Sequence, residues 1–198
     1  MNIENDKFPL KPLQSWLKES IEKCINPDRP YTSTLVKKNF ISNDNMKRTP
    51  ILRIANFLQV TKNKDLTAVL SDSTHKILAI FPFKPTIINF EEKYQQRITF
   101  HTNNTLIHIK QANLRFVQKE DLSLAYDVRY SSYYDVIVLE ILDLDIFQRD
   151  QIELIRVTNS MTYLYDESSY IRFCGRTFSH NPTDVMQLEE DYEDMISL

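Results

Sequence analysis

The chain contains one glycine, Gly175, in 198 residues. That scarcity removes whole fold-and-function classes. Phosphate-cradling loops and dinucleotide fingerprints need several glycines, because the backbone must approach the ligand closely. A nucleophile elbow needs them for its sharp strand-to-helix turn. Turns here must be made by Asn, Asp, Ser and Pro instead.

The remaining bounds are broad. The length suits one domain with extensions, and such a chain buries roughly 70% of its unfolded surface without a metal or disulfide staple. Apolar residues form 42% and charged residues 26%, a globular profile. The formal net charge of −3 gives no global attraction to nucleic acid or anionic lipid, although a local basic face is compatible with it. Cys24 and Cys174 do not make a disulfide framework and suit a reducing compartment. No apolar run has the length of a membrane span, and MNIENDKF does not read as a signal peptide. The sequon Asn103-Asn104-Thr105 therefore carries no weight.

Periodicity supplies the elements. Leu13, Leu17, Ile21 and Cys24 form a helical stripe with Trp16 at its edge. The span 26–49, with Pro27 and Pro30, reads as a long loop. ILRIANFLQV (51–60) alternates as a strand; LTAVLS (66–71) and HKILAIF (75–81) flank Asp72-Ser73-Thr74 as a hairpin. Pro85-Thr86 opens a helix with Ile87, Phe90 and Tyr94 on one face. Residues 105–117 form a strand whose apolar phase changes near Ala112, the mark of a bulge, and 134–142 form a last buried strand. Three strands, a helix and two strands give the OB-fold, a mostly β, five-stranded Greek-key barrel with a helix between strands three and four. Residues 1–9 read as a loose N-terminus, 10–155 as the barrel with its N-terminal helix, and 156–198 as a C-terminal extension. Within it and just before it, 144–155 suggests a helix, 162–173 a hairpin turning at Asp166–Ser169, and the acidic end an amphipathic segment with Val185, Leu188 and Tyr192.

No catalytic or metal constellation emerges. His75, His101, His108 and His180 are scattered, and no CxxC or HExxH accompanies them. No Ser, Cys or Lys stands beside an evident base. Asp143 and Asp145 share one face if their segment is a strand, but read rather as the acidic start of the following helix. An OB-fold can bind single strands on aromatics set between basic side chains, and strands two and three should supply that platform. They carry no aromatic before Phe81, and only Lys62, Lys64 and Lys76 nearby. Any nucleic-acid binding by the isolated chain should be weak and salt-sensitive.

Four patches carry a resemblance: LQSW (13–16), LSDSTHKILAIF (70–81), FEEKYQQRITFHTNNTLIHI (90–109) and LDIFQRDQI (144–152). Over residues 10–155 the chain resembles the family of small yeast telomerase subunits, the third of the Ever Shorter Telomeres proteins. That family is similar to the OB domain of the shelterin protein that recruits telomerase. The resemblance implies a nuclear, telomeric, non-catalytic adaptor with no cofactor. Its partner would be the telomerase reverse transcriptase, at its N-terminal domain, with other telomerase subunits; contact with telomerase RNA would be indirect. Glu91, Thr102 and Asn104 match the partner-binding patch. Trp16 matches a tryptophan that matters for association and can equally be core. Asn56 stands where some relatives carry a basic residue. Asp72 and Arg97 match a structural salt bridge. The alternative function is a single-stranded telomeric nucleic-acid-binding OB protein.

Overall fold

The computed structural model describes residues 13–24, 38–41, 50–98, 102–117, 122, 125–126, 136–149 and 161–171. Helix α1 spans Leu17–Cys24 and strand β1 spans Lys38–Ile41. Strands β2 (Ile51–Val60), β3 (Leu66–Ser71) and β4 (His75–Phe81) form a meander. A helical turn over Phe83–Ile87 leads into α2, Ile88–Tyr94. Strands β5 (Leu106–Val117), β6 (Val136–Gln148) and the short β7 (Thr162–Tyr163) follow.

The pairing closes a barrel. β2 pairs β3, β3 pairs β4, and β4 runs parallel to β6. β6 then pairs β5 along its length, and β5 returns to β2. This is the five-stranded OB-fold. Closure removes the sheet edges that an open sheet of this composition would expose. The β5–β6 register slips between Gln111 and Ala112, the bulge that the phase change at Ala112 predicts.

Two elements differ from the sequence pattern. β1 lies antiparallel on β5, inside the span that reads as a loop. Four residues, KNFI, are too few to show alternation, and pairing alone makes them a strand. β6 continues to Gln148, where the pattern suggests a strand ending at 142 and a helix from 144. Pairing of Leu144 with Ile109, and of Asp145 with His108, overrides that local preference. Asp143 and Asp145 are therefore strand residues.

Leu164, Tyr165 and Tyr170 belong to the same hydrophobic core as the barrel, and residues 161–171 form no hairpin. β7 runs parallel to β4, a 3₁₀ turn follows over Leu164–Asp166, and 168–171 are helical. Direct β4–β6 pairing is confined to Ala79–Leu139 and Ile80–Glu140, so a seam opens just before it. Two tyrosines fill that seam. The Tyr165 hydroxyl accepts from the Leu78 N–H at 2.9 Å and donates to the Ile137 carbonyl at 2.6 Å. The Tyr170 hydroxyl accepts from the Ile137 N–H at 3.1 Å. Buried backbone groups that cannot reach another strand are thus satisfied by phenols.

The shortage of glycine shows in the backbone. Lys64, Gln95 and Asn104 all have positive φ (67°, 50° and 64°), where glycine is the unstrained choice. Gln95 ends α2 in that conformation. Residues 1–9, His101, His180, Cys174, the proposed helical stretch 151–155 and the acidic end with Val185, Leu188 and Tyr192 lie outside the described residues.

Candidate protein-docking site

Trp16 is the residue before α1, and its carbonyl accepts the first helical bond from the Ser20 N–H. An indole cannot cap its own helix, so the cap comes from elsewhere. Oδ2 of Asp72, at the β3–β4 turn, accepts from the Trp16 and Leu17 N–H groups at 2.8 Å each. Its Oδ1 accepts from the Thr74 and His75 N–H groups at 2.7 and 2.8 Å, and from the Thr74 hydroxyl at 3.1 Å. A carboxylate at a helix N-terminus also meets the positive end of the helix dipole. Asp72 is 0% exposed and both oxygens are committed. Arg97 is exposed on the connection after α2. Among the described residues the two make no ion pair, so the expected Asp72–Arg97 bridge is corrected: Asp72 ties its turn to α1 instead.

Trp16 itself is 4% exposed. Its Nε1–H donates to the Ile51 carbonyl at 3.0 Å, and its ring stacks on Phe40 of β1 at 6.2 Å. Buried indoles need such an acceptor. Trp16 is a core residue, and it offers no side-chain surface to a partner.

Thr102 and Asn104 occupy the turn that enters β5. The Asn104 N–H donates to the Ile54 carbonyl at 2.7 Å, and the Ile54 N–H donates to the Thr105 carbonyl at 3.0 Å. Nη2 of Arg53 donates to the Asn104 side-chain oxygen. Arg53 is 1% exposed, and burial alone pulls its guanidinium down to about 10. Thr102 is 3% exposed and lines a small apolar cavity with Phe90, Ile54 and Ile146. Thr102 therefore shapes the surface from beneath, while Asn104 is partly exposed.

α2 places Phe90 in the core and Glu91 partly in solvent. Glu91 has no hydrogen bond or ion pair among the described residues, and Glu92 beside it is exposed. Asp145 of β6 holds the far end of this helix. Lys93 Nζ and the Tyr94 hydroxyl both donate to its Oδ1, and Lys110 Nζ lies 2.6 Å from Oδ2. The Tyr94 hydroxyl in turn accepts from the Ile146 N–H at 3.0 Å. Desolvation would push the Asp145 carboxyl up, but its bonds to Lys110 and Lys93 and their charges outweigh it and hold it at about 2. Asn56 is exposed on β2, two residues beyond Ile54, which Asn104 contacts.

The structure thus joins Glu91, Asn56 and Asn104 to elements that meet around Ile54 and Phe90. Arg97 is exposed and makes no contact with Asp72. The anchors missed in the sequence are Asp145, Tyr165 and Tyr170, together with the hydrogen bonds of the Tyr94 hydroxyl. Only the alternation of Asp143 and Asp145 hinted at one of them.

A profile of the shelterin complex subunit TPP1/ACD matches residues 13–162. The chain belongs to the TPP1/ACD family. It is similar to the telomere replication protein EST3 of Debaryomyces hansenii, with 48% identity over 100% of each chain. It is also similar to EST3 of Candida albicans, 40% identical over 98% of this chain and 87% of that one. Among solved structures, the Est3 telomerase subunit of the yeast Hansenula polymorpha matches with a TM-score of 0.61 and 25% identity, covering 85% of this chain and 89% of that one. The Debaryomyces match extends through the segment past residue 165, which the sequence patches did not reach. In this TPP1/ACD-family barrel, residues 161–171 contribute Leu164, Tyr165 and Tyr170 to the core.

Proposed function

We propose that the chain is a non-catalytic telomerase subunit that acts in the nucleus, at telomeres. Its barrel serves as an adaptor for the telomerase reverse transcriptase, at the N-terminal domain of that enzyme, and supports recruitment or activity at chromosome ends. The names of its EST3 relatives support the setting. The observation that carries the docking site is Glu91: a carboxylate without a partner among the described residues, on a helix fixed from below by Phe90 and laterally by Asp145. A charge presented on a rigid element loses little freedom when it meets a cation of a partner, and it steers the approach. Asn56 on β2 and Asn104 in the turn before β5 are the amide members of the same proposed surface.

Co-purification of the catalytic subunit tests the reading. Glu91→Lys should lower recovery of the reverse transcriptase at least tenfold, with an unchanged melting temperature. Undiminished recovery would overturn the assignment of Glu91.

Direct reading of a single strand on β3 and β4 is disfavoured by packing. Thr67–Ser71 and Ile77–Phe81 are buried residue after residue, so neither face of these strands is open. The Thr67 hydroxyl donates to the Ala125 carbonyl at 2.8 Å, and Tyr126 and Tyr165 join the covering core.

A further inference from the structure

Asn104 is held at two points by a single strand. Its φ is 64°, in the left-handed region, which asparagine tolerates better than other residues with a Cβ. Its main chain is tied to β2, because the Asn104 N–H donates to the Ile54 carbonyl at 2.7 Å. Within the turn, the Thr105 N–H donates to the Thr102 carbonyl at 3.3 Å. Its side chain is tied to the same strand one residue earlier, where Nη2 of Arg53 donates to Asn104 Oδ1.

Arg53 is a rigid support. It is 1% exposed, and its backbone is in register with Ser71 of β3 on one side and Leu106 of β5 on the other. A guanidinium carries five N–H donors and no acceptor. Only the oxygen of an amide can face it, so the Asn104 NH2 group is turned the other way. Among the described residues Asn104 Nδ2 has no acceptor, and the residue is partly exposed. A free amide offers either a donor or an acceptor by turning over; this one offers a donor alone. A turn that needed only the left-handed conformation would be served by glycine, and a buried guanidinium is costly to desolvate. Together, the asparagine and the buried arginine make an outward donor of fixed direction.

We propose, resting on the docking role given to Asn104, that Arg53 is the positioning residue that locks this amide with its NH2 group outward, so that the surface recognises an acceptor oxygen of the partner at this point. Glu91 then asks for a cation and Asn104 for a carboxylate or carbonyl oxygen. A partner that brings an N–H or an ammonium to Asn104 sets donor against donor and is rejected.

The experiment joins NMR of the free full-length chain to co-purification of the reverse transcriptase. The Asn104 side-chain amide should be as rigid as the backbone, with an order parameter of roughly 0.85. Arg53→Gln, which can donate or accept, should let the amide turn over and bring that value below about 0.6, whereas Arg53→Lys, a donor only, should keep it high. Recovery of the enzyme should follow the same order, roughly fivefold lower for Arg53→Gln and largely restored in Arg53→Lys. Asn104→Asp gives Arg53 a carboxylate, so its melting temperature should hold or rise; its outward atom becomes an acceptor, and recovery should fall roughly fivefold or more. Asn104→Gly keeps the turn without the amide and should lose as much. If Arg53→Gln fails to fold, the two Asn104 variants decide. A mobile wild-type amide, or a folded Asn104→Asp protein that recovers the enzyme as wild type does, would overturn the proposal. Loss with Glu91→Lys but not with Asn104→Asp defeats this inference alone. Loss with Asn104→Asp but not with Glu91→Lys supports it and defeats the assignment of Glu91. An Asn104→Asp deficit that shrinks in 1 M salt, where the screening length is about 3 Å, identifies the partner oxygen as a carboxylate, and one that persists identifies a carbonyl.

Discussion

Two helices lean on the barrel, and an aspartate reaches each of them: Asp72 for α1 and Asp145 for α2. Asp72 is fully buried and accepts four backbone N–H groups, of which those of Trp16 and Leu17 are buried with it. Asp145 is partly exposed and meets two flexible lysines, whose ammonium groups water solvates nearly as well. The same side chain is therefore a keystone in one place and an adjustable strut in the other. α1 is built into the core with Trp16, Leu17 and Ile21, whereas α2 buries Phe90 and turns Glu91 outward. Burial, more than the number of contacts, separates a stabilising carboxylate from one that tunes a surface.

The largest expected effect breaks the α1 side. Asp72→Ala leaves two helix N–H groups and two turn N–H groups without an acceptor, and should cost roughly 3 kcal/mol or more. Urea denaturation would show it as a lowered midpoint at unchanged slope. Asp72→Asn keeps one acceptor oxygen and the size, and should recover part of the loss. Arg97→Ala should leave stability within about 0.5 kcal/mol of wild type, because an exposed side chain is removed. A loss for Arg97→Ala equal to that for Asp72→Ala would restore the salt bridge and refute the capping role.

The α1 side extends into residues 161–171. Glu167 bridges Lys18 and His75, and their hydrogen bonds, that of His75 first, hold its carboxyl below the ordinary range. Tyr165→Phe removes the hydroxyl that bridges β4 and β6 and keeps the ring against Tyr170. It should cost about 2 kcal/mol, since a buried donor and a buried acceptor both lose their partner. Amide exchange at Leu78 should quicken more than exchange at Ala79, whose strand pairing persists. Equal protection of the two amides would show that the seam closes without the phenol.

How far the sequence foretold this division depends on the range of each interaction. β3 and β4 were legible to the residue, because apolar runs and the Asp72-Ser73-Thr74 turn are local signals. β1 and the second half of β6 were not, because both exist through pairing with β5. Asp72 stood out as a polar residue with a structural role, yet its partners are backbone groups 55 and 56 positions away, which no spacing rule reveals. Thr102 was read as a surface candidate through resemblance, and Trp16 equally as interface or core. Their burial depends on Phe90 and Phe40 arriving from other elements. Glu91 was legible as an outward helix residue because Ile87, Phe90 and Tyr94 fix the inner face.

The smallest expected effect sharpens the α2 side. The folded Asp145 carboxyl titrates at about 2, below the ordinary 3.8, so on acidification the unfolded chain takes up the proton first. The contribution of Asp145 is therefore complete above about pH 4 and is lost as the pH falls towards 2. With two partly exposed lysines as partners, it should amount to less than about 1 kcal/mol. Asp145→Asn should thus lower stability slightly at pH 7 in low salt, and the difference should shrink in 1 M salt, where the screening length is about 3 Å. Asp72→Ala should keep its penalty in the same salt, because the carboxylate and the Trp16 and Leu17 N–H groups that donate to it are buried. A side-chain NMR titration of Asp145 checks the midpoint directly. A midpoint near 4 would mean that the lysines do not hold the carboxylate, leaving Phe90 and Ile87 as the anchors of the helix that presents Glu91.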